Sequence, residues 1–381
     1  MGASVGHEDV GALPEWAEWN PAATAYTLGV EEEVMLLDPW RWSLAQRIED
    51  ALDGLPASLG GFISAETHQA AIELATDPHV TVAGAVDQLR ALRGQLSDGL
   101  AALGIAVAAA GTHPTATWKE TEVSPAGRHQ LIHETMRELA RREPTFALHV
   151  HVGVAEAASA TRLFNRLRAH LPLLLALSAN SPFWQGRDAG ICSARTIVFS
   201  SFPRTGIPRR FASYLDWVGT VDPLIRAGAI PEPTFLWWDV RLQPRLGTIE
   251  IRIMDAQTEV ADTAALVALV QSVARLELEE GFVVEELVGA PEVLAENRFL
   301  ALRDGMDAQL IDPVAERLVP ARELLERLLD AARPHADELG CRDELEGAAR
   351  LAAAPGATRQ RTLAERSRNL PEVVRGLAEA F

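Results

Sequence analysis

The chain has 381 residues, 48% of them hydrophobic and 23% charged, which suits one large domain or two ordinary ones with a full core. Its formal net charge of −18 disfavours a broad basic surface for nucleic acid or an anionic membrane, while leaving room for a local basic cleft that holds a small phosphate. Cys192 and Cys341 make neither a disulfide framework nor a CxxC metal spacing. With no run of about 18 apolar residues and no secretory signal in MGASVGHEDVGALPEW, the expected location is the cytoplasm.

Residues 1–24, rich in Ala, Gly and acidic residues, read as a loosely ordered leader that Trp16 and Trp19 are placed to dock. Residues 25–381 read as a single α+β domain, mainly helical from about 262 to 381. Lys119 is the only lysine, and no GxxxxGK[ST] loop exists, so any nucleotide chemistry must hold phosphates with arginine and metal.

Alternate side chains of a strand face opposite sides of its sheet. In TLGVEEEVMLL this puts Gly29, Glu31, Glu33 and Met35 on one face, and Leu28, Val30, Glu32, Val34 and Leu36 on the other. A lone buried carboxylate is too costly to leave unanswered, so Glu32 needs its own partner or solvent. In QAAIELAT, Glu73 opposes Ile72 and Leu74, a pattern that suits a solvated face as well as a site, and Glu66 just upstream adds another acid of uncertain phase. Apolar residues at three-to-four spacing predict helices over 82–103 and 128–142.

In TFALHVHVGV, residues Phe146, Leu148, Val150, Val152 and Val154 form an unbroken apolar face opposite Ala147, His149, His151 and Gly153. A helix is expected over 158–177, with Leu171 to Ala176 in the core. In LGTIEIRIMD, alternation sets Gly247, Ile249, Ile251 and Ile253 against Thr248, Glu250, Arg252 and Met254. Further helices are predicted over 263–279 and 313–339.

Antiparallel sheets often have one wet face, but an ordinary one mixes Lys, Thr, Ser and Gln, whereas these carry Glu, His, Arg and Gly. If the strands share one sheet, the carboxylates and imidazoles converge on a concave surface. Oxygen-rich ligation of that kind suits Mg²⁺ or Mn²⁺ better than zinc, and such ions commonly arrive with substrate phosphates. Arg241, Arg245 and Arg252 are then placed to clamp phosphate or carboxylate oxygens.

The ordered set GVEEE, ALHVHVG, ANSPFWQGRDAG with SARTIVF, WWDVRLQPRLGTIEIRIMDAQT and ENRFLALRDGMDA resembles the carboxylate-amine ligases of the glutamate-cysteine ligase type 2 family, across residues 26–310. The resemblance implies a glutamine-synthetase-like fold: a curved antiparallel sheet with a polar concave active face, backed by helices. It implies that ATP phosphorylates a carboxylate, commonly the γ-carboxylate of glutamate, and that an amine such as that of cysteine attacks the acyl phosphate. Carried over by motif, Glu31, Glu33, Glu66, Glu73, His149 and Glu250 are the implied ligands of Mg²⁺, or of Mn²⁺ in its place. His151, Arg252 and Arg241 lie at the nucleotide phosphates, and Arg195 and Arg252 are the implied catalytic residues, Arg195 holding a substrate carboxylate or the phosphoryl group in transfer. The implied partners are small-molecule substrates; a homo-oligomer is compatible with such an enzyme, although no sequence feature demonstrates one.

Relatives typically read SPFWxGxDTGYxSxR where this chain has Ala189 and Ile191 in place of the Thr and Tyr, and Phe199 where Trp is common. If that loop lines the amino-acid pocket, two lost hydroxyls alter substrate preference. Cys192 reads as a small buried side chain, not a nucleophile. A metal-dependent amidohydrolase would also use His-x-His on a strand, but His113 precedes Pro114 in a loop and His129 and His133 fall on a predicted helix. The remaining alternative is a non-catalytic nucleotide- or amino-acid-binding module of the same fold.

Overall fold

A computed structural model describes residues 13–125, 127–141 and 144–381. Its centre is an antiparallel sheet of seven strands: β1 (Leu28–Leu37), β2 (Ile63–Ala65), β3 (Ala71–Ala75), β4 (Ala106–Ala108), β5 (Ala147–Gly153), β6 (Val240–Gln243) and β7 (Thr248–Asp255). The order is β6-β7-β5-β1-β3-β2, with β4 paired to the C-terminal end of β1. The acid-bearing and histidine-bearing strands therefore lie side by side.

Register turns the alternating sequence pattern into rows across one face. Arg241 stands opposite Glu250, Glu250 opposite His151, and His151 opposite Gly29. One row along, Glu31 faces His149; further along, Glu33 faces Glu73 and Glu73 faces Ser64. The other face, with Val30, Leu148, Val150, Val152, Ile249 and Ile251, is buried in the main core. Helices Ala157–Leu167, Leu171–Ser178 and Val260–Glu279 cover it.

Simple alternation holds in β7 only as far as Ile251. The pairing shifts between Ile251, opposite Val150, and Met254, opposite Leu148, so that Arg252 and Ile253 together oppose His149 in a β-bulge. Met254 consequently joins the apolar face, not the polar one expected from its spacing, and Asp255 moves to the polar side opposite Ala147. On its other edge β7 stays regular: one step beyond Val240 opposite Ile251, the Arg252 amide donates to the Asp239 carbonyl at 2.9 Å.

The helix expected over 82–103 spans Val82–Ala102, its Thr81 cap accepting from the Gly84 amide at 3.2 Å. The segment expected to continue from 128 to 142 divides into Gly127–Met136 and Glu138–Arg141, and residue 142 lies outside the described residues. The 158–177 segment breaks into two helices, the second carrying Pro172 in its first turn, where a missing N–H is harmless. The helix expected over 313–339 begins only at Ala321; before it, Gln309–Asp312 and Arg317–Pro320 form a hairpin. Val314 and Leu318 imitate a helical apolar stripe but are exposed. Trp19 donates to the Val154 carbonyl at 3.0 Å, and Trp16 packs edge-on to Trp217 at 5.5 Å, so the described part of residues 1–24 docks through both indoles. Among the described residues, no helix is long and apolar enough to cross a membrane.

Candidate active site

The polar face of the sheet opens into a cleft of about 400 Å³. Glu31, Glu33, Glu66, Glu73, His149, Arg195, Arg241 and Arg252 line it. His151 and Glu250, both buried, stand in its wall: His151 Nε2 is 3.3 Å from Glu31, and His149 Nδ1 is 3.9 Å from Glu250. Arg245 lines the cleft as well, so the ten residues singled out from sequence as ligands or phosphate-binding groups, together with Arg195, are brought to one place.

Ligand atoms within 4.8 Å of one another form overlapping clusters: Glu31, Glu73 and His149; Glu31, His151 and Glu250; Glu33, Glu66 and Glu73. His149 Nδ1 lies 3.3 Å from Glu31, while its Nε2, 3.9 Å from Glu33, is buried and has no hydrogen-bond partner among the described residues. Buried polar atoms are rarely left so. His151 Nε2 is likewise without a hydrogen-bond partner among the described residues, and this donor set, mostly carboxylates with two imidazole nitrogens, fits a hard divalent cation.

Electrostatics sort the carboxylates. Burial and then the neighbouring Glu66 charge push Glu33 upward, against the opposing pull of Arg195, Arg252 and the Ala147 amide that donates to it at 2.7 Å. Burial and the charges of Glu31, Glu66 and Glu33 raise Glu73 well above the usual carboxylate range. Burial also works to raise Glu31, but the His151 charge and hydrogen bonds from both histidines hold it low. Burial takes His149 down to about 4, with Arg252 acting in the same direction. One carboxyl of the crowded set must keep a proton or meet a cation.

Glu250 is the most heavily engaged acid. Burial alone would raise it, yet Arg241 and Arg252 hold it far below the usual range. Arg241 contacts it at 2.8 Å, Gln243 donates to it at 2.6 Å, and Arg252 Nη1 donates to its other oxygen. Arg241 also donates to the carbonyls of Thr234 and Leu236, which leaves it as a brace for Glu250 more than a free clamp. Arg252 Nε and Arg195 Nε, by contrast, are buried without hydrogen-bond partners among the described residues.

Arg195 sits on a short helix, Ala194–Phe199, and its two terminal nitrogens donate to the carbonyls of Ile253 and Arg252, the two bulge residues, at 3.1 and 3.0 Å. Asp255 lies 3.8 Å away and accepts from Ser181, Ser193 and the Asn180 amide. In the sequence these residues carry only one local signal, a run of small polar residues flanked by apolar ones, which by itself assigns no role. Opposite the acids, Phe199, Phe202 and Trp237 form an aromatic wall, with ring centroids 5.7 and 5.9 Å apart. His129 and Thr145 also line the cleft and were not foreseen there.

The loop with Ala189 and Ile191 is not among the cleft-lining residues. It borders a separate depression with Asp188, Cys192, Arg303, Asp304 and Arg361, and Arg361 pairs with Asp188 at 2.9 Å. The substrate effect expected from its lost hydroxyls therefore has no direct contact behind it. Cys192 is half-buried, not the fully buried side chain expected, and what burial it has still raises its thiol, which suits an unreactive side chain.

Residues 27–380 match the model of glutamate-cysteine ligase family 2. A protein of Rubrobacter xylanophilus, provisionally named glutamate–cysteine ligase 2-1, is 40% identical over 366 residues, covering 95% of this chain and 96% of that one. One of Sorangium cellulosum, provisionally named glutamate–cysteine ligase 2, is 38% identical over 358 residues, covering 93% and 96%. Among solved structures, the glutamate–cysteine ligase of Francisella tularensis in complex with AMP superposes with a TM-score of 0.68 at 12% identity, over 93% of this chain and 89% of that one. A bifunctional glutathione synthetase of Pasteurella multocida gives 0.70 at 13% identity, over 93% of this chain and 52% of that one. At such identities these superpositions establish the fold alone.

Proposed function

The chain belongs to glutamate-cysteine ligase family 2 and is an ATP-dependent carboxylate-amine ligase, and on that premise we propose that it joins the γ-carboxylate of glutamate to the amine of cysteine or a related small amine, with Mg²⁺ at the acidic cleft. The observation that carries this reading is the convergence of Glu31, Glu33, Glu66, Glu73, His149 and Glu250 beside two buried guanidinium nitrogens without partners. The names of the relatives support glutamate and cysteine as the substrate pair.

The six ligands named above would hold the metal, which when bound neutralises phosphate charge and draws the γ-phosphoryl group toward the carboxylate. The residues of this chain do the rest. A carboxylate oxygen of the substrate attacks the γ-phosphorus, the bond to the bridging oxygen breaks, and ADP leaves with that electron pair. Arg195 and Arg252 offer their free Nε–H groups to the oxygens that carry charge during transfer. His151, raised by Glu31 and Glu250 against the opposing effect of burial, carries positive charge toward the phosphates. The amine then attacks the acyl carbon, an amide N–C bond forms as the nitrogen gives up a proton, and phosphate leaves with the carboxylate oxygen and takes that proton. No side-chain nucleophile is needed.

Release of ADP, followed with glutamate and a panel of amines that includes cysteine, tests the reading. Turnover that needs ATP, Mg²⁺ and an amine supports it, with the best amine naming the acceptor. Amide hydrolysis without ATP, or ATP binding without amine-dependent ADP release, would overturn it.

A further inference from the structure

Resting on the metal reading above, we propose that Glu32, Arg93 and Thr263 form a positioning bracket that sets the spacing of the two acidic halves of the site from the opposite face of the sheet. Alternation sends Glu32 away from the cleft, into the helix-packed side, where it is fully buried. There Arg93, from the helix Val82–Ala102, holds it along one edge with two donors: Nε to Oε2 at 2.8 Å and Nη2 to Oε1 at 2.9 Å. Thr263, on the helix Val260–Glu279, donates to Oε1 at 2.6 Å.

The remaining donors of Arg93 carry the argument. Nη2 donates to the Gln257 carbonyl at 2.7 Å and Nη1 to the Thr258 carbonyl at 2.8 Å, immediately beyond the end of β7. β1 and β7 do not pair with each other, because β5 lies between them. The guanidinium therefore ties the strand that holds Glu31 and Glu33 to the continuation of the strand that holds Glu250 and Arg252. The Phe381 ring lies over it at 4.3 Å and helps exclude water.

A strand does not stretch, so any movement of Glu32 along its axis moves Glu31 and Glu33 by the same amount on the other face. A buried ion pair gives little net stability over well-packed apolar side chains, but a bidentate arginine–carboxylate contact fixes direction as well as distance. Elsewhere in the chain Glu277 is buried between Arg166 and His170, at 2.5 Å from each, and bonds to neither β1 nor β7. That pair supplies a control of similar burial and charge with no link to the cleft.

The test titrates Mn²⁺ into full-length wild type, Glu32→Gln, the double variant Glu32→Gln/Arg93→Met and the control Glu277→Gln, reading free Mn²⁺ by electron paramagnetic resonance, with melting curves alongside. The bracket predicts about 10–100-fold weaker Mn²⁺ binding in both bracket variants at temperatures where they are folded, the loss typical when outer supports of metal ligands are removed. The control should melt earlier yet bind Mn²⁺ within about twofold of wild type, as distant sites act independently. Should Glu32→Gln fail to fold, the double variant, which leaves no buried unpaired charge, decides. Wild-type affinity in the folded bracket variants, or an equal loss in the control, would overturn the proposal. A wild-type chain that binds no Mn²⁺ would remove the metal reading, and the bracket with it.

Discussion

Acid should weaken this fold through one histidine that lies outside the cleft chemistry. His113 is buried in the turn before Pro114, its Nε2 2.9 Å from the Trp42 carbonyl and its Nδ1 accepting from the Ala116 amide at 3.0 Å. That arrangement requires the neutral ring with the proton on Nε2. Burial accordingly takes its pKa down to about 4, from 6.5 in the unfolded chain. The folded state thus binds fewer protons than the unfolded one between those values, so the stabilising contribution is complete above 6.5 and is lost as pH falls toward 4. Between about pH 8 and about pH 5 the loss from this ring alone is about 2 kcal/mol. The turn adjoins the site, since Gly111 accepts from the Phe146 amide just before β5. Urea unfolding of wild type and His113→Gln at both pH values measures the effect. The variant, whose amide keeps one donor and one acceptor, should be less stable at the higher pH and should lose about 2 kcal/mol less on acidification. An identical pH dependence in the two proteins would refute the reasoning.

Glu33→Gln should keep its circular dichroism spectrum while Mg²⁺-dependent turnover falls by more than about 100-fold; an active variant contradicts the ligand role. Because burial and like charge raise Glu33 and Glu73 above the usual carboxylate range, Mg²⁺ binding near neutral pH should release protons and tighten as pH rises. Calorimetric titration in two buffers of different ionisation enthalpy reads the protons, and binding without release would count against those assignments. Gly247 has φ +65°, and an added Cβ would meet the Asn20 carbonyl oxygen at 1.8 Å. Gly247→Ala should therefore destabilise the chain by about 1–3 kcal/mol in a denaturant melt and disturb Thr248, which bonds His151 at 3.0 Å; an unchanged melt would contradict the strain.

Much of the site was legible because strand alternation is a local rule. Glu31, Glu33, His149, His151 and Glu250 were sorted to one side from spacing alone, and the sheet keeps them there. What spacing could not supply was register and interruption. The bulge at Arg252 and Ile253 changes the face of every later residue in β7, and it is the bulge carbonyls that anchor Arg195. Glu32 was recognised as needing a partner, but Arg93 is sixty-one positions away and only packing of the helix against the sheet brings it there. The hairpin before Ala321 was misread for a related reason: Val314 and Leu318 have helical spacing, and exposure cannot be seen in sequence. The aromatic wall gathers residues from separate segments, with no periodic signal to join them.

The most direct test of the central claim follows oxygen. With glutamate labelled with ¹⁸O in its carboxylates, together with ATP, Mg²⁺ and the best amine from the panel, the inorganic phosphate released is examined by ³¹P nuclear magnetic resonance. Transfer through an acyl phosphate predicts one ¹⁸O in each phosphate formed with amide product. Phosphate that carries no ¹⁸O, its fourth oxygen coming from solvent, or amide formed without labelled phosphate, would contradict it.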